Sequence, residues 1–205
     1  GLARCQAFGV RYDLSEEYER FLLIYARQKI DTDDHEPGGV VSISLEDPTT
    51  PEWVMDTLEF PKDHRLYDHC RKVNEQLAQG LQFDWSDVDH KTCFNAFPHD
   101  VDLMPDGETL VVTDTSEGRV LWIEPPEHGE PAQVIALFED ETADWNAERA
   151  VNCLQMLERG PRTLMLLSYK ASETEGDDDG RITLWDVTEP TVPTLTWSWP
   201  IDGVV

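Results

Sequence analysis

The chain has 205 residues, and its 42 Asp and Glu against 16 Lys and Arg give a formal net charge of -26. This charge argues against nucleic acid or an anionic membrane surface as a partner, because phosphates need a basic binding surface. Seven Trp, seven Phe and five Tyr exclude a disordered acidic chain, and no apolar run reaches the roughly 18 residues of a membrane span. We therefore expect a folded acidic protein with no nucleic-acid partner and no membrane span.

The acidity has more than one interpretation. It fits a solvated, self-repelling surface, adaptation to high salt, or an extracellular protein with cation sites. The four cysteines, Cys5, Cys70, Cys93 and Cys153, are too few to build the fold but permit two disulfides in three connectivities. The compartment stays open, with an extracytoplasmic location, periplasmic or secreted, preferred. The first residues are neither Met-initiated nor signal-like, which indicates a piece of a longer protein.

The first group of predicted strands alternates β-branched and aromatic residues with polar ones, and Gly, Pro, Asp and Ser separate the runs. The four runs are 5–12, 21–28, a segment that begins at Gly38, and 52–60.

A helix is predicted next, with Asp63 as its N-cap and Gly80 as its C-cap. One helical stripe holds the apolar residues Leu66, Cys70, Val73 and Leu77. Four of the sixteen cations lie in or beside this helix, namely Lys62, Arg65, Arg71 and Lys72. The helix is therefore a candidate docking element, unless its cations pair with neighbouring strands.

Two further groups of four strands follow. They are 99–104, 109–115, a segment from Gly118 and 132–138, and then 150–157, 163–170, a segment from Gly180 and 194–200. The Pro-Asp-Gly at 105–107 and the Arg-Gly-Pro at 159–161 are expected to close the first hairpin of each group. Trp122, Trp185, Trp197 and Trp199 are expected in the core between groups.

The third strand of each group carries an internal repeat. GGVVSISLEDPTTP from Gly38 and GRITLWDVTEPTVP from Gly180 share the Gly, a β-branched residue and a Pro-Thr-x-Pro ending. GRVLWIEPPEHGEP from Gly118 keeps the Gly, the Val and the late Pro. The copies start 80 and then 62 residues apart. Four short strands per copy at such spacings are typical of β-propeller blades.

The predicted fold is all-β, a partial β-propeller of about three four-stranded blades with one helical insertion. We divide the chain into blade one (1–61), the helical insertion and linker (62–94), blade two (95–145), and blade three with the lead-in to a further blade (146–205). Propellers need at least four blades, so the chain is expected to be part of a longer propeller or to complete its ring with other chains.

Two segments resemble known propellers. FPHDVDLMPDGETLVVTDTSEGRVLWIEP (97–125) resembles blades of bacterial YVTN, NHL and arylsulfotransferase-like propellers. GRITLWDVTEPTVPTL (180–195) is similar to blades of LVIVD-repeat and selenium-binding-protein-like propellers. The resemblance covers most of the chain and is to a superfamily style, which implies a fold more than an activity.

The resemblance to arylsulfotransferase-like propellers implies a role for His99 and Asp100 at the start of an innermost strand. His99 would be a channel nucleophile or acid/base, and Asp100 would orient its imidazole. The other first strands start with Cys5-Gln6 and Asn152-Cys153, so they supply no second His and no Arg. The alternative is a His that is hydrogen-bonded near a blade edge.

A candidate calcium site precedes Gly180. Glu175, Asp177 and Asp179 have the alternate spacing of calcium loops in propeller hairpins. These residues match the calcium-loop pattern only in part. The acidic segment 31–36 in blade one lacks the Gly that this pattern needs for its sharp turn. A solvated acidic hairpin is the alternative, and no cofactor is required by the predicted function.

A candidate zinc site lies around the helix. His90 and Cys93 have a usable ligand spacing, and Cys70 with His69 or His64 would complete a tetrahedral site. The same residues leave open a Cys70–Cys93 disulfide or free thiols.

The predicted function is a protein- or ligand-binding module, because propellers present loops on two faces. One alternative is an arylsulfotransferase-like enzyme that uses His99. Another is a structural subunit that pairs through open blade edges. The predicted partner is a protein or the remaining part of the same propeller, and whether the chain is an enzyme stays open.

Overall fold

The computed structural model describes residues 4–15, 18–28, 35–44, 47, 49, 51–55, 57–80, 92–94, 98–114, 118–124, 130–139, 151–169 and 180–201. These residues form thirteen strands and one helix, so the all-β prediction is confirmed. Within them, no helix has the length and apolar character that crossing a membrane requires.

The strands are between 2 and 12 residues long. They are β1 (Arg4–Ser15), β2 (Tyr18–Gln28), β3 (His35–Ser44), β4 (Pro51–Met55), β5 (Leu58–Glu59), β6 (Pro98–Leu103), β7 (Leu110–Asp114), β8 (Arg119–Glu124), β9 (Ala132–Glu139), β10 (Val151–Arg159), β11 (Arg162–Tyr169), β12 (Gly180–Asp186) and β13 (Thr194–Ile201). The helix α1 spans Tyr67–Ala78.

The strands form three antiparallel meanders. The first sheet has the order β1-β2-β3-β4, and the third sheet has the order β10-β11-β12-β13. The middle sheet runs β6-β7-β8-β9 and gains β5 in parallel beside β9. In each sheet the first strand of the four-stranded meander lies at an edge, and we call these strands, β1, β6 and β10, the leading strands.

The single strand predicted over 52–60 is wrong. The first sheet keeps β4, whereas β5 pairs with the middle sheet through Leu58↔Ala132 and Glu59↔Gln133. Leu58 and Phe60 are buried in the core between the two sheets. Alternation of residue types records which positions are buried but does not record which neighbour buries them.

The middle sheet is buried on both faces. Toward the first sheet it presents Leu110, Val112, Leu121 and Ile123, which pack with Val40 and with Cys70 and Val73 of α1. Toward the third sheet it presents Val111, Val120, Trp122, Ala136 and Phe138. Trp122 and Trp185 lie in this second core as predicted. Trp197 and Trp199 are exposed in the single chain, so the prediction that they lie in a core within the chain is wrong.

The internal repeat is visible in the strand register. A register shift falls between Ser42 and Ile43 in the first sheet. The corresponding shifts fall between residues 122 and 123 and between residues 184 and 185, which are again 80 and 62 residues apart. The Thr of the repeated Pro-Thr-x-Pro ending donates its hydroxyl to the preceding acid in both copies, Thr49 to Asp47 and Thr191 to Glu189.

The two predicted hairpin turns are confirmed. Gly107 and Gly160 have φ values of +72° and +62°, which favour glycine over residues with a Cβ. Asp106 accepts the backbone N–H groups of Glu108 and Thr109 and the Thr109 hydroxyl. Burial acts to raise the pKa of Asp106, but these hydrogen bonds together lower it below its usual value.

The predicted helix is present but begins later than expected. Leu66 precedes its first turn and has no side-chain cap, so Asp63 is not the N-cap. Gly80 follows the C-cap Gln79 with a φ of +70° and donates its N–H to the Leu77 carbonyl, as a C-terminal glycine is expected to do.

Candidate functional site

The leading strands lie side by side. β6 contacts β1 on one side and β10 on the other. Each of them has a register shift near its start, between Ala7 and Val10, between Pro98 and Asp100, and between Val151 and Leu154. The shifts bring Val10, Val101 and Leu154 to corresponding positions.

His99 is the extra residue of the β6 bulge. Its neighbours Pro98 and Asp100 pair with Asp114 and Thr113, which are adjacent, so His99 itself has no opposite residue in the ladder. The side chain is half-buried. Bulges re-aim side chains and often occur beside functional sites, but the proposed nucleophile role of His99 stays a prediction.

Asp100 and Asp102 connect two leading strands. One oxygen of Asp100 accepts the N–H of Val101 at 3.0 Å, and the other accepts the N–H of Leu154 at 3.0 Å. Asp102 does the same for Leu103 at 3.0 Å and Met156 at 2.8 Å. Each carboxylate therefore bridges corresponding N–H groups of β6 and β10, and we call the pair the carboxylate bridge.

The carboxylate bridge closes open sheet edges. β6 and β10 are edge strands, and an edge strand exposes unpaired N–H groups that invite pairing with other chains. Ionised carboxylates are strong acceptors for such groups. Both oxygens of Asp100 accept backbone N–H groups, and its predicted role in orienting the His99 imidazole stays a prediction. Sequence reasoning missed Asp102, although Asp-x-Asp on an edge strand is the signal that locates it.

Two attachments hold the insertion around α1 in place. A disulfide joins Cys70 of α1 to Cys93 in the segment before β6, with Cα atoms 5.1 Å apart. Both sulfur atoms are bonded to each other, so neither is a thiolate that could bind zinc. The predicted zinc site, which needed Cys70 and Cys93 as ligands, is wrong. Cys153 is free and exposed.

The second attachment is a buried ion pair. Arg119, whose side chain is 2% exposed, donates to Asp114 at 3.0 Å and to the Thr92 and Phe94 carbonyls at 3.1 and 3.0 Å. The Asp114 side chain is 0% exposed. The guanidinium therefore ties the segment before β6 to the hairpin of β7 and β8, a contact that sequence spacing does not reveal.

Two of the four cations in or beside α1 form ion pairs within the protein. Arg65 forms an ion pair with Glu139 of β9 at 3.1 Å, and Arg71 pairs with Glu75 and lies 3.9 Å from Asp68. Arg65 thus follows the predicted alternative of pairing with a neighbouring strand, whereas Arg71 pairs with acidic residues of α1 itself.

His64 sits at the approach to α1. Its ring stacks on Phe60 at a centroid distance of 4.8 Å, and its Nδ1 accepts the Leu66 N–H at 3.2 Å. Burial, and then the charge of Arg65, lower the pKa of His64 from its ordinary value of 6.5. The neutral ring is the form that accepts this hydrogen bond.

A cavity of about 590 Å³ lies between α1, β5 and the start of β9. Its lining combines three carboxylates and one guanidinium with amide and aliphatic groups, and we call it the insertion cavity. The lining residues are Thr57, Glu59, Arg71, Asn74, Glu75, Leu77, Ala78, Glu130 and Pro131. This volume is in the range of small-molecule and peptide side-chain sites.

The calcium candidates Glu175, Asp177 and Asp179 lie outside the described residues, as does His90. In the part of the chain that the structure describes, no three His, Cys, Asp or Glu side chains are grouped as metal ligands would be. The calcium site stays a prediction.

No protein-family model matches the chain, and a search of curated proteins finds no match.

Proposed function

We propose that the chain forms three consecutive blades of a β-propeller and serves as a binding module. The observation that carries this proposal is the side-by-side arrangement of the leading strands, with β6 between β1 and β10. Successive four-stranded meanders that pack face to face, each with its first strand next to its neighbour's first strand, are what a propeller requires. The shared register shifts of the three sheets support the same arrangement.

The insertion cavity is the proposed binding site. It lies where the chain departs most from its repeat, because β5 and α1 have no described counterpart in the other two sheets. The Cys70–Cys93 disulfide holds α1, which forms one wall of the cavity, and a fixed site loses less conformational entropy on binding. The scaffold needs no cofactor for binding of this kind.

The lining of the insertion cavity favours, as its ligand, a short peptide segment that carries a cationic side chain beside an aliphatic one. Glu59, Glu75 and Glu130 outnumber the single guanidinium of Arg71, which already pairs with Glu75. Leu77 and Pro131 supply apolar surface in the same cavity. A lysine or arginine of a partner protein would find acceptors there, and its neighbour would find apolar contact.

Selection from a library of short displayed peptides tests this proposal. The protein is expected to enrich peptides with Lys or Arg next to an aliphatic residue, and an enriched peptide is then titrated against variants. Glu130→Lys should weaken binding about tenfold or more, a loss of about 1.4 kcal/mol. The matched control Glu158→Lys changes an exposed carboxylate on β10 and should leave the affinity unchanged. No enrichment, or equal losses in both variants, would contradict the proposed site.

A further inference from the structure

The third sheet has an apolar face that points away from the middle sheet. Strand pairing sets Leu166 opposite Leu184, Leu184 opposite Trp197, and Ile182 opposite Trp199, so these residues share one face. Trp197 and Trp199 are 45% and 57% exposed, and the other three are half-buried. We call these five residues the outer face.

The outer face has a covered counterpart in the middle sheet. The register places Val111, Val120, Trp122, Ala136 and Phe138 at the positions of Leu166, Ile182, Leu184, Trp197 and Trp199. All five counterparts are buried, at 0 to 8% exposed, and they lie in the core that the third sheet completes.

The first sheet repeats the arrangement where its side chains are described. Val40 and Ser42 occupy the positions of Ile182 and Leu184, and both are fully buried. Val40 packs in the core shared with the middle sheet. In both described cases, what covers this face is the next four-stranded sheet, and this continuity identifies the kind of surface that fits the outer face.

A covering sheet needs a matching set of apolar positions. The middle sheet covers the first with Leu110, Val112, Leu121 and Ile123 on its two central strands. The same register positions of the first sheet hold four apolar residues, Phe21, Leu23, Val41 and Ile43. The chain therefore contains a sheet with the pattern that its own outer face requires.

We propose that the outer face binds the first sheet of a second copy of this chain. The contact is heterologous, third sheet on first sheet, and two such contacts close a dimer that buries both outer faces. This inference uses the packing of the sheets and does not depend on the insertion cavity.

The leading strands add a polar element to the proposed contact. Gln155 is exposed and occupies the position on β10 that Asp102 occupies on β6. In the proposed dimer the Gln155 amide oxygen takes the place of the Asp102 carboxylate and accepts the N–H of Tyr12 in the second copy, because Tyr12 corresponds in register to Met156. An amide is a weaker acceptor than a carboxylate, so this bond supports the apolar contact rather than replacing it.

Light scattering coupled to size-exclusion chromatography tests the proposal on the full chain. The unmodified protein is expected to show about twice the 23.4 kDa of one chain. Trp197→Glu and Trp199→Glu should each shift the population to the monomer, because a carboxylate in an apolar contact is costly. Both tryptophans are exposed, so these variants are expected to fold, which circular dichroism and a thermal melt verify. The control Val192→Glu adds the same charge at an apolar residue that is 67% exposed and lies outside the outer face, and it should remain dimeric.

Two results would overturn the proposal. One is a monomeric mass for the unmodified chain over the whole concentration range, which would leave the outer face to a sheet from another protein or from a longer chain. The other is a dimer whose mass the two tryptophan variants do not change.

Discussion

The middle sheet packs against its two neighbouring sheets through two interfaces, which we call joints, and the two joints are built differently. The joint with the first sheet contains apolar core together with the insertion, which is attached by the Cys70–Cys93 disulfide and the buried Arg119–Asp114 pair. The joint with the third sheet contains an aromatic core, in which Phe138 meets Trp185 edge-on at 4.6 Å, and the carboxylate bridge.

This difference teaches that one repeat can be joined to the next in two ways. The second joint uses only groups that a repeat carries in itself, namely apolar strand residues and the Asp-x-Asp of a leading strand. The first joint includes an added segment, which is held by a buried ion pair and a disulfide. The four changes below should separate the two joints, from the largest expected effect to the smallest.

Removing the Arg119 side chain should cause the largest loss. Arg119→Ala leaves the Asp114 carboxylate buried without its ion partner, which typically costs about 3–5 kcal/mol in the free energy of unfolding. Urea unfolding measures the loss. Arg162→Ala is the control, because its guanidinium is mostly exposed and forms a long ion pair of 3.8 Å with Asp186. The free energy of unfolding of this variant is expected to change by no more than about 0.5 kcal/mol. Equal losses in both variants would show that the buried pair is not a major attachment.

Removing the disulfide should cost somewhat less. The double variant Cys70→Ala/Cys93→Ala frees a loop that the bond closes over 23 positions, and such a release typically costs about 2–4 kcal/mol. Calorimetry should show a lower melting temperature for the double variant. The melting temperature of Cys153→Ser should be unchanged, because this thiol is exposed and free. An unchanged melting temperature in the double variant would remove the disulfide from the account of the first joint.

The free energy of unfolding should fall in proportion to the number of acceptors removed from the carboxylate bridge. Asp102→Ala leaves the Leu103 and Met156 N–H groups without this acceptor, at a typical cost of about 1–3 kcal/mol. Asp102→Asn keeps one neutral oxygen and should lose less. Urea unfolding of both variants checks the order, and a larger loss for the asparagine variant would contradict the bridge.

Protonation at His64 should give the smallest effect and should concern the first joint alone. The folded-state pKa lies below the ordinary 6.5, so the unfolded chain takes up the proton first as the pH falls. Stability is then fully present above about 6.5 and declines as the pH falls toward the lower folded pKa. The decline should stay below about 1 kcal/mol, because the ring is only partly buried.

The measurement for His64 is the change in unfolding free energy between pH 7 and pH 5.5 in the wild type and in His64→Phe. The variant should lose less on acidification, because phenylalanine keeps a ring beside Phe60 without the proton. A variant that loses as much as the wild type would show that this proton does not affect stability.

Local patterns of the sequence predicted most of the strands and the turns. Alternating residues located the leading strands, and Gly107 and Gly160 stand where tight turns need positive φ. The bridge partners Leu154 and Met156 lie 54 positions beyond Asp100 and Asp102, so no local pattern connects them. The exposure of Trp197 and Trp199 was missed for a related reason, because a core-forming pattern does not say whether the covering sheet is part of the chain.

Hydrogen exchange at the Met156 amide, followed by NMR, tests the central claim that carboxylates of β6 seal the edge of β10. In the wild type we expect this N–H to be protected although it lies on an edge strand, and we expect Asp102→Ala to remove the protection. The Leu166 amide, on an interior strand of the same sheet, should keep its exchange rate. An unprotected Met156 amide in the wild type, or unchanged protection in Asp102→Ala, would contradict the arrangement of the leading strands described here.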